Sequence, residues 1–236
     1  MSVILGVETS AEGCSVALSN DTELFHAHVS EPRQHTQKLL PMIDDVLRQA
    51  NCQLADLDAL AYSRGPGSFT GLRIGLGVAQ GLAYGADLPL IPISTLELIA
   101  QSAMNDVSTT AKTHVLVAID ARMSEVYWCL YENQQGTLIA LVEEQVSSPI
   151  TVWQSSVVKN IDLGSCVIVG SGWHYEDLNQ EIDMSTWLDI TPKAETMMSL
   201  AQRQWQAGKV DTPEQALPVY LRDSVAWQKR KKIRAQ

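Results

Sequence analysis

The chain has few of the features that announce a chemistry. Its 236 residues hold four cysteines and two phenylalanines. Cys14, Cys52, Cys129 and Cys166 lie far apart with no CxxC pair, so neither a zinc ribbon nor a disulfide framework is encoded. Each reads as a small core residue in a reducing compartment. No HExxH, GxSxG or Walker A lysine motif occurs, which excludes the commonest zinc-protease, α/β-hydrolase and P-loop signatures. No apolar run approaches the ~18 residues of a membrane span. The opening MSVILGVETS lacks a basic n-region, and its apolar run is too short for a secretory leader. These absences predict a cytosolic protein with no membrane contact.

Basic charge is also scarce. The chain carries 17 Lys and Arg against 27 Asp and Glu, a net charge of −10. Lys229, Arg230, Lys231, Lys232 and Arg234 sit in the last eight residues, which leaves the body with 12 basic residues against 27 acidic ones. Such a body repels nucleic-acid phosphates over most of its surface. Any RNA is therefore expected to be held mainly by another chain, and the basic tail reads as a solvated, frayed end. With 45% hydrophobic and 19% charged residues the composition is globular, and the length suffices for a core without disulfides.

What is present is pattern. SVILGVETS is an apolar strand that reaches Glu8, CSVALSN alternates as a half-buried strand, and TELFHAHVS follows, together an antiparallel meander. In HTQKLLPMIDDVLRQA, Leu39, Ile43, Val46, Leu47 and Ala50 follow a helical period, and Pro41 marks either a helix start or a kink. ADLDALAYSRG reads as a strand, TGLRIGLGVAQGLAYGA as a helix and LPLIPIS as a strand. STLELIAQSAM is a helix with Ser94 or Thr95 as N-cap and Glu97 in its first turn. The polar stretch Asn105–Thr113 divides the chain into residues 1–105 and 106–236. The second part repeats the opening: HVLVAIDARMSEVYWCLYENQQGTL places Asp120 where the first pass placed Glu8. SCVIVGSGW follows as a buried strand, and KAETMMSLAQRQWQAG is a helix closed by Gly208. Two α/β halves are predicted, each a mixed sheet that opens with a β-hairpin and is flanked by helices.

Half of the fourteen glycines fall between Ser63 and Ala86: Gly65, Gly67, Gly71, Gly75, Gly77, Gly81 and Gly85. Each helical glycine costs roughly 1 kcal/mol relative to alanine. Spacing by four puts Gly71 and Gly75 on one ridge and Gly77, Gly81 and Gly85 on another. Either all serve internal packing, or one face meets a second helix at short range.

The two hairpin turns raise a second question. Opposed turns of this kind can clamp the phosphates of ATP between two domains, with an acid holding Mg²⁺ through water. The first, VETSAEGCSVAL, offers Thr9, Ser10 and Gly13. The second, DARMSEVY, has no glycine and carries Glu125, which opposes a phosphate. ATP binding to this chain alone is therefore not expected. His26 and His28 share one face of a strand but have no evident acidic or cysteine partner, and His35, His114 and His174 stand alone.

The run SRGPGSFTGLRIGLGVAQGLAYGADLPLIPISTLELIA closely resembles the TsaB (YeaZ) family, and ILGVETS, HTQKLLPMIDDVL, AIDARMSEVYWCLYE and LPVYLRDSVA look like further family segments. The resemblance implies two actin-like/RNase H-like (ASKHA) halves and a non-catalytic accessory role in N6-threonylcarbamoyladenosine modification of tRNA. It implies TsaD as the catalytic partner, TsaE in a larger complex, tRNA contacted mainly through that complex, and a homodimer when the partner is absent. TsaD-like enzymes carry His-x-Glu-x-His at the start of the corresponding helix, two imidazoles on one face that hold a metal. Here Thr95, Glu97 and Ile99 stand in that pattern, and isoleucine cannot ligate a metal. No catalytic, cofactor or metal residue is therefore expected. The partner surface is expected on the helices Thr36–Ala50 and Gly71–Ala86, through Leu39, Met42, Ile43, Gly71, Leu72, Gly75, Leu76, Gly77 and Ala79. The competing reading is an actin-like-fold ATPase or phosphotransferase acting on its own.

Overall fold

The computed structural model describes residues 2–20, 22–105, 112–180, 182 and 187–222. The basic tail read from the sequence lies outside them. The first half runs β1 (Ile4–Glu8), β2 (Cys14–Ser19), β3 (Leu24–Val29), α1 (His35–Gln49), β4 (Ala59–Gly65), α2 (Phe69–Ala86), β5 (Leu90–Ser94) and α3 (Thr95–Met104). The second runs β6 (His114–Arg122), β7 (Glu125–Gln134), β8 (Thr137–Ala140), β9 (Gln145–Ser147), α4 (Pro149–Gln154), α5 (Ser156–Lys159), β10 (Cys166–Val169), α6 (Glu176–Asn179), β11 (Trp187–Leu188) and α7 (Ala194–Gln206).

The two sheets share one topology. The first has the order β3-β2-β1-β4-β5, antiparallel through β1, β2 and β3 and parallel from β1 to β5. The second has the order β8-β7-β6-β10-β11, with β9 also paired to β7 and the same change from antiparallel to parallel at its centre. This is the expected pair of RNase H-like halves; the repeat read from the two opening hairpins holds, and the structure extends it to β8, β10 and β11, of which the sequence pattern had marked only β10 as a strand. Pro41 neither starts nor ends α1. It sits inside the helix on the exposed side.

Strand periodicity sends alternate residues to opposite faces of the first sheet. Leu5, Val7, Val16, Leu18 and Leu60 meet Leu39, Ile43 and Val46 of α1 and Leu76, Ala79 and Ala83 of α2. Ile4, Ala17, Ala59, Ala61, Ile91 and Ile93 form the other face. That second face is covered by Met197, Met198, Leu200 and Ala201 of α7, from the far end of the chain. Gly6 leaves room for α7 at this face: a Cβ there would sit 2.2 Å from Met198 Cε.

The exchange is mutual. Leu96, Ile99, Ala100 and Ala103 of α3 pack on Val115, Val117, Cys129, Val167 and Val169 of the second sheet. Arg203 of α7 donates to Gln101 Oε1 of α3 at 3.0 Å. The boundary expected between residues 105 and 106 thus separates the sheets but not the cores, since each half is completed by a helix from the other side of it. Hydrophobic periodicity identifies a helix face as apolar but does not say which sheet it covers.

Candidate functional site

The turn after β1 is closed from within. Glu8, Thr9 and Ser10 are all buried. Glu8 Oε1 accepts hydrogen bonds from the Ser10 amide and hydroxyl, each at 2.5 Å. Burial raises the Glu8 carboxyl above its ordinary range, and the hydrogen bonds from Ser10 and Ser63 act against that rise. Ser68 N–H donates to Ser10 O at 2.8 Å. The first turns of α2 lie directly on this turn. A Cβ on Gly71 would stand 2.0 Å from Thr9 O, one on Gly75 2.1 Å from Thr9 Oγ1, and one on Gly67 2.6 Å from Ser10 O. The inner glycines therefore let helix backbone fill the space over the turn, and Ser68 N–H, a donor that could meet a phosphate, is already used.

The turn between β6 and β7 has a different build. Arg122, Met123 and Ser124 all adopt left-handed φ values of 64°, 58° and 60° without glycine. Asp120 Oδ1 accepts from Arg122 N–H at 2.7 Å and from Tyr175 OH at 2.8 Å. Glu125, which the sequence presents as a bare negative charge, is ion-paired with Arg222. The same guanidinium donates to Ala121 O at 3.3 Å. Arg122 reaches Glu12 at 4.0 Å, so the two turns face each other across the junction of the halves.

The helix start that would hold a metal is built as core and as a charge network. Thr95 and Ile99 are buried, and Ile99 belongs to the second half's core. Glu97 is partly exposed. Burial raises its carboxyl; Arg203 and Arg64 oppose the shift, and Glu144 adds to it. Arg64 pairs with Glu144 at 3.0 Å across the two halves, and Ser94 OH donates to the same carboxylate. Ser94 is also the N-cap of α3 and accepts from Glu97 N–H at 3.2 Å. Among the described residues no group of three His, Cys, Asp or Glu side chains is placed to hold a metal. His26 instead pairs with Glu195 of α7 at 3.0 Å.

Most of the residues expected at a partner surface are covered by the chain itself. Leu39, Met42, Ile43, Leu72, Leu76 and Ala79 are buried in the first half, and Gly71 and Gly75 face Thr9. Of the nine, only Gly77 points outward. The helix pair has the predicted amphipathic pattern, but its apolar stripe is the inner one. The outer face of α2 carries Gly77, Gly81 and Gly85, where an added Cβ would meet nothing within 4 Å. Exposed Tyr84 (76%) and Phe69 (56%) flank this stripe, and Leu40 of α1 is also exposed (52%). Arg73 stacks on Phe69, with its guanidinium carbon 3.6 Å from the ring centroid. Leu40, Phe69, Arg73 and Tyr84 were not singled out by the sequence pattern as exposed residues. Extending the Gly77–Gly81–Gly85 ridge by helical steps to residues 73, 84 and 70 would have found two of them.

Known proteins resemble the chain along nearly its whole length. The family model of TsaD, tRNA N6-adenosine threonylcarbamoyltransferase, matches residues 29–171. The tRNA threonylcarbamoyladenosine biosynthesis protein TsaB of Escherichia coli is 45% identical over 231 residues, covering 96% of this chain and 97% of that protein. The TsaB of Haemophilus influenzae is 39% identical, covering 96% of each. The structure of YeaZ from Pseudomonas aeruginosa superposes with a TM-score of 0.82 at 40% identity, over 94% of this chain and all of that one. With likeness at this level in sequence and in fold, and with the glycine-rich α2 inside the matched region, the chain belongs to the TsaB (YeaZ) family of tRNA threonylcarbamoyladenosine biosynthesis proteins.

Proposed function

We propose that the chain is a non-catalytic subunit that binds and activates a TsaD-type catalytic subunit for N6-threonylcarbamoyladenosine modification of tRNA. The observation that carries this reading is the outer face of α2. Three glycines spaced by four open onto empty space on the helix that also exposes Phe69 and Tyr84, and a surface helix gains nothing from them unless another helix comes close. The burial of Thr95 and Ile99 supports the non-catalytic part of the reading, since neither offers a metal ligand where the catalytic relatives carry histidine. In the absence of the partner the same face serves a homodimer. TsaE joins the larger complex, and tRNA is held mainly through the complex, in keeping with the acidic body.

The competing reading, an independent ATPase or phosphotransferase, needs phosphate room over the two turns. The packing of Gly67, Gly71 and Gly75 on Thr9 and Ser10 speaks against it more strongly than Glu125 does, because Arg222 already balances Glu125. The test is Gly77→Leu and Gly81→Leu in the full chain, with co-purification of a TsaD-type subunit and threonylcarbamoylation of tRNA as readouts. Both variants should fold, lose the partner and lose modification. Retention of both by either folded variant would place the interface elsewhere.

A further inference from the structure

The segment after α7 crosses the molecule and touches both halves. Gly208, at φ 67°, turns the chain out of the helix. Asp211 then pairs with Leu90 in both directions at 2.8 Å, an isolated antiparallel bridge on β5. Gln80 of α2 donates to Pro213 O at 2.8 Å and to Ala216 O at 3.1 Å, and Ala216 is fully buried in the first core. Val219 N–H donates to Arg64 O at 2.7 Å. Tyr220 lies against Phe69 with ring centroids 5.5 Å apart, and Arg73 Nε donates to Tyr220 OH at 2.9 Å. These partners all belong to the first half. Two residues later the partners belong to the second: Arg222 donates to Ala121 O, Arg122 O, Met123 Sδ and the Glu125 carboxylate.

The far anchor grips a turn that depends on outside contacts. Arg122, Met123 and Ser124 are held in left-handed conformations that non-glycine residues disfavour. Two carbonyls of that turn accept from Arg222, whose side chain is only 18% exposed. The near anchor is the first turn of α2, where Phe69, Arg73 and Tyr220 form an exposed stack. Only Leu221 separates the Tyr220 hold from the Arg222 hold, so the two anchors adjoin in the chain.

We propose that Asp211–Arg222 is a latch that couples the outer face of α2 to the β6–β7 turn of the second half. Loosening the Phe69–Arg73–Tyr220 stack frees Val219 and withdraws Arg222 from the turn. Tightening the stack holds the turn closed. The regulatory consequence, that a partner seated on α2 sets the state of the second half through the latch, rests on the docking reading above. The latch itself does not.

Hydrogen exchange on the full chain alone tests it, at two protein concentrations so that self-association is separated from the effect. Arg222→Ala should speed exchange of the amides between residues 121 and 126. Phe69→Ala, which changes only the near anchor, should speed exchange at Val219 and also at residues 121–126, by about fivefold for loss of one aromatic pair. Tyr84→Ala, on the same helix but outside the stack, should leave residues 121–126 at the rate of the unmodified chain, and thermal unfolding followed by circular dichroism confirms that all three variants fold. The proposal is overturned if Phe69→Ala acts only near residues 69–73 and 219–220, if Arg222→Ala leaves the turn unchanged, or if Tyr84→Ala moves the turn as much as Phe69→Ala does.

Discussion

Two glycines less than two turns apart in one helix should respond in opposite directions to the same substitution. At Gly77 an added Cβ meets nothing within 4 Å, so Gly77→Ala adds only helix propensity and a stiffer unfolded chain. The gain is about 1 kcal/mol, or roughly 2–4 °C in Tm for a chain of this size. At Gly71 the added atom would sit 2.0 Å from Thr9 O, a backbone atom in a buried turn that cannot swing aside. Overpacking of this kind costs about 1–3 kcal/mol. The propensity gain is small there, because Gly71 lies in the first turn of α2 and its N–H already binds Ser68 Oγ at 3.2 Å. Gly71→Ala should therefore lower Tm by roughly 2–10 °C. Thermal unfolding by circular dichroism, at a concentration where sedimentation shows monomer, measures both. A loss of stability in Gly77→Ala would mean that the outer ridge is not open in the monomer. A gain in Gly71→Ala would mean that α2 does not rest on the Thr9 turn. The stabilised Gly77→Ala chain should still bind its partner more weakly than the original, because the methyl group holds a second helix away.

Other consequences can be measured independently. Because burial raises the Glu8 carboxyl above its ordinary 4.5, the contribution of this group to stability is fully present below that pH and is lost as pH rises through the folded value. Glu8→Gln removes this dependence, and its Tm advantage over the unmodified chain should grow with pH; an offset equal at all pH values would refute the shift. Arg64→Ala strips Glu144 of its charged partner between the halves and should cost about 1–3 kcal/mol in chemical denaturation, with the loss largely relieved in a double variant with Glu144→Gln. Calorimetry of the isolated chain with ATP and Mg²⁺ should show weak binding or none, since α2 backbone covers the first turn; micromolar affinity would reverse that expectation.

The sequence carried most of the strand order and little of the surface. CSVALSN and the apolar runs ending at Glu8 and Asp120 were legible as strands because strand period and turn chemistry are local properties, but CSVALSN, expected to be half-buried, is buried on both faces because α7 covers Ala17. The inner and outer glycine ridges were legible as two sets, because spacing by four is a helical fact. Which set faced the core was not, since that depends on where the Thr9 turn sits in space. The same limit explains why Leu39, Leu76 and Ala79 read as contacts: apolarity marks a face that is covered, and the covering surface here is the protein's own sheet. Arg222 and Glu125 stand 97 positions apart in the chain, and no periodicity joins them.

The exchange of α3 and α7 also governs the order in which the protein can come into being. The first sheet is complete in sequence at β5, but its second face waits for Met197, Met198, Leu200 and Ala201. At a synthesis rate of roughly 5–20 residues per second, that face stays bare for about 5–20 s on the ribosome. Through that interval the apolar face has no α7 to cover it. The first half is therefore no independent unit of expression, and a chain truncated after residue 105 should be insoluble unless α7 is supplied.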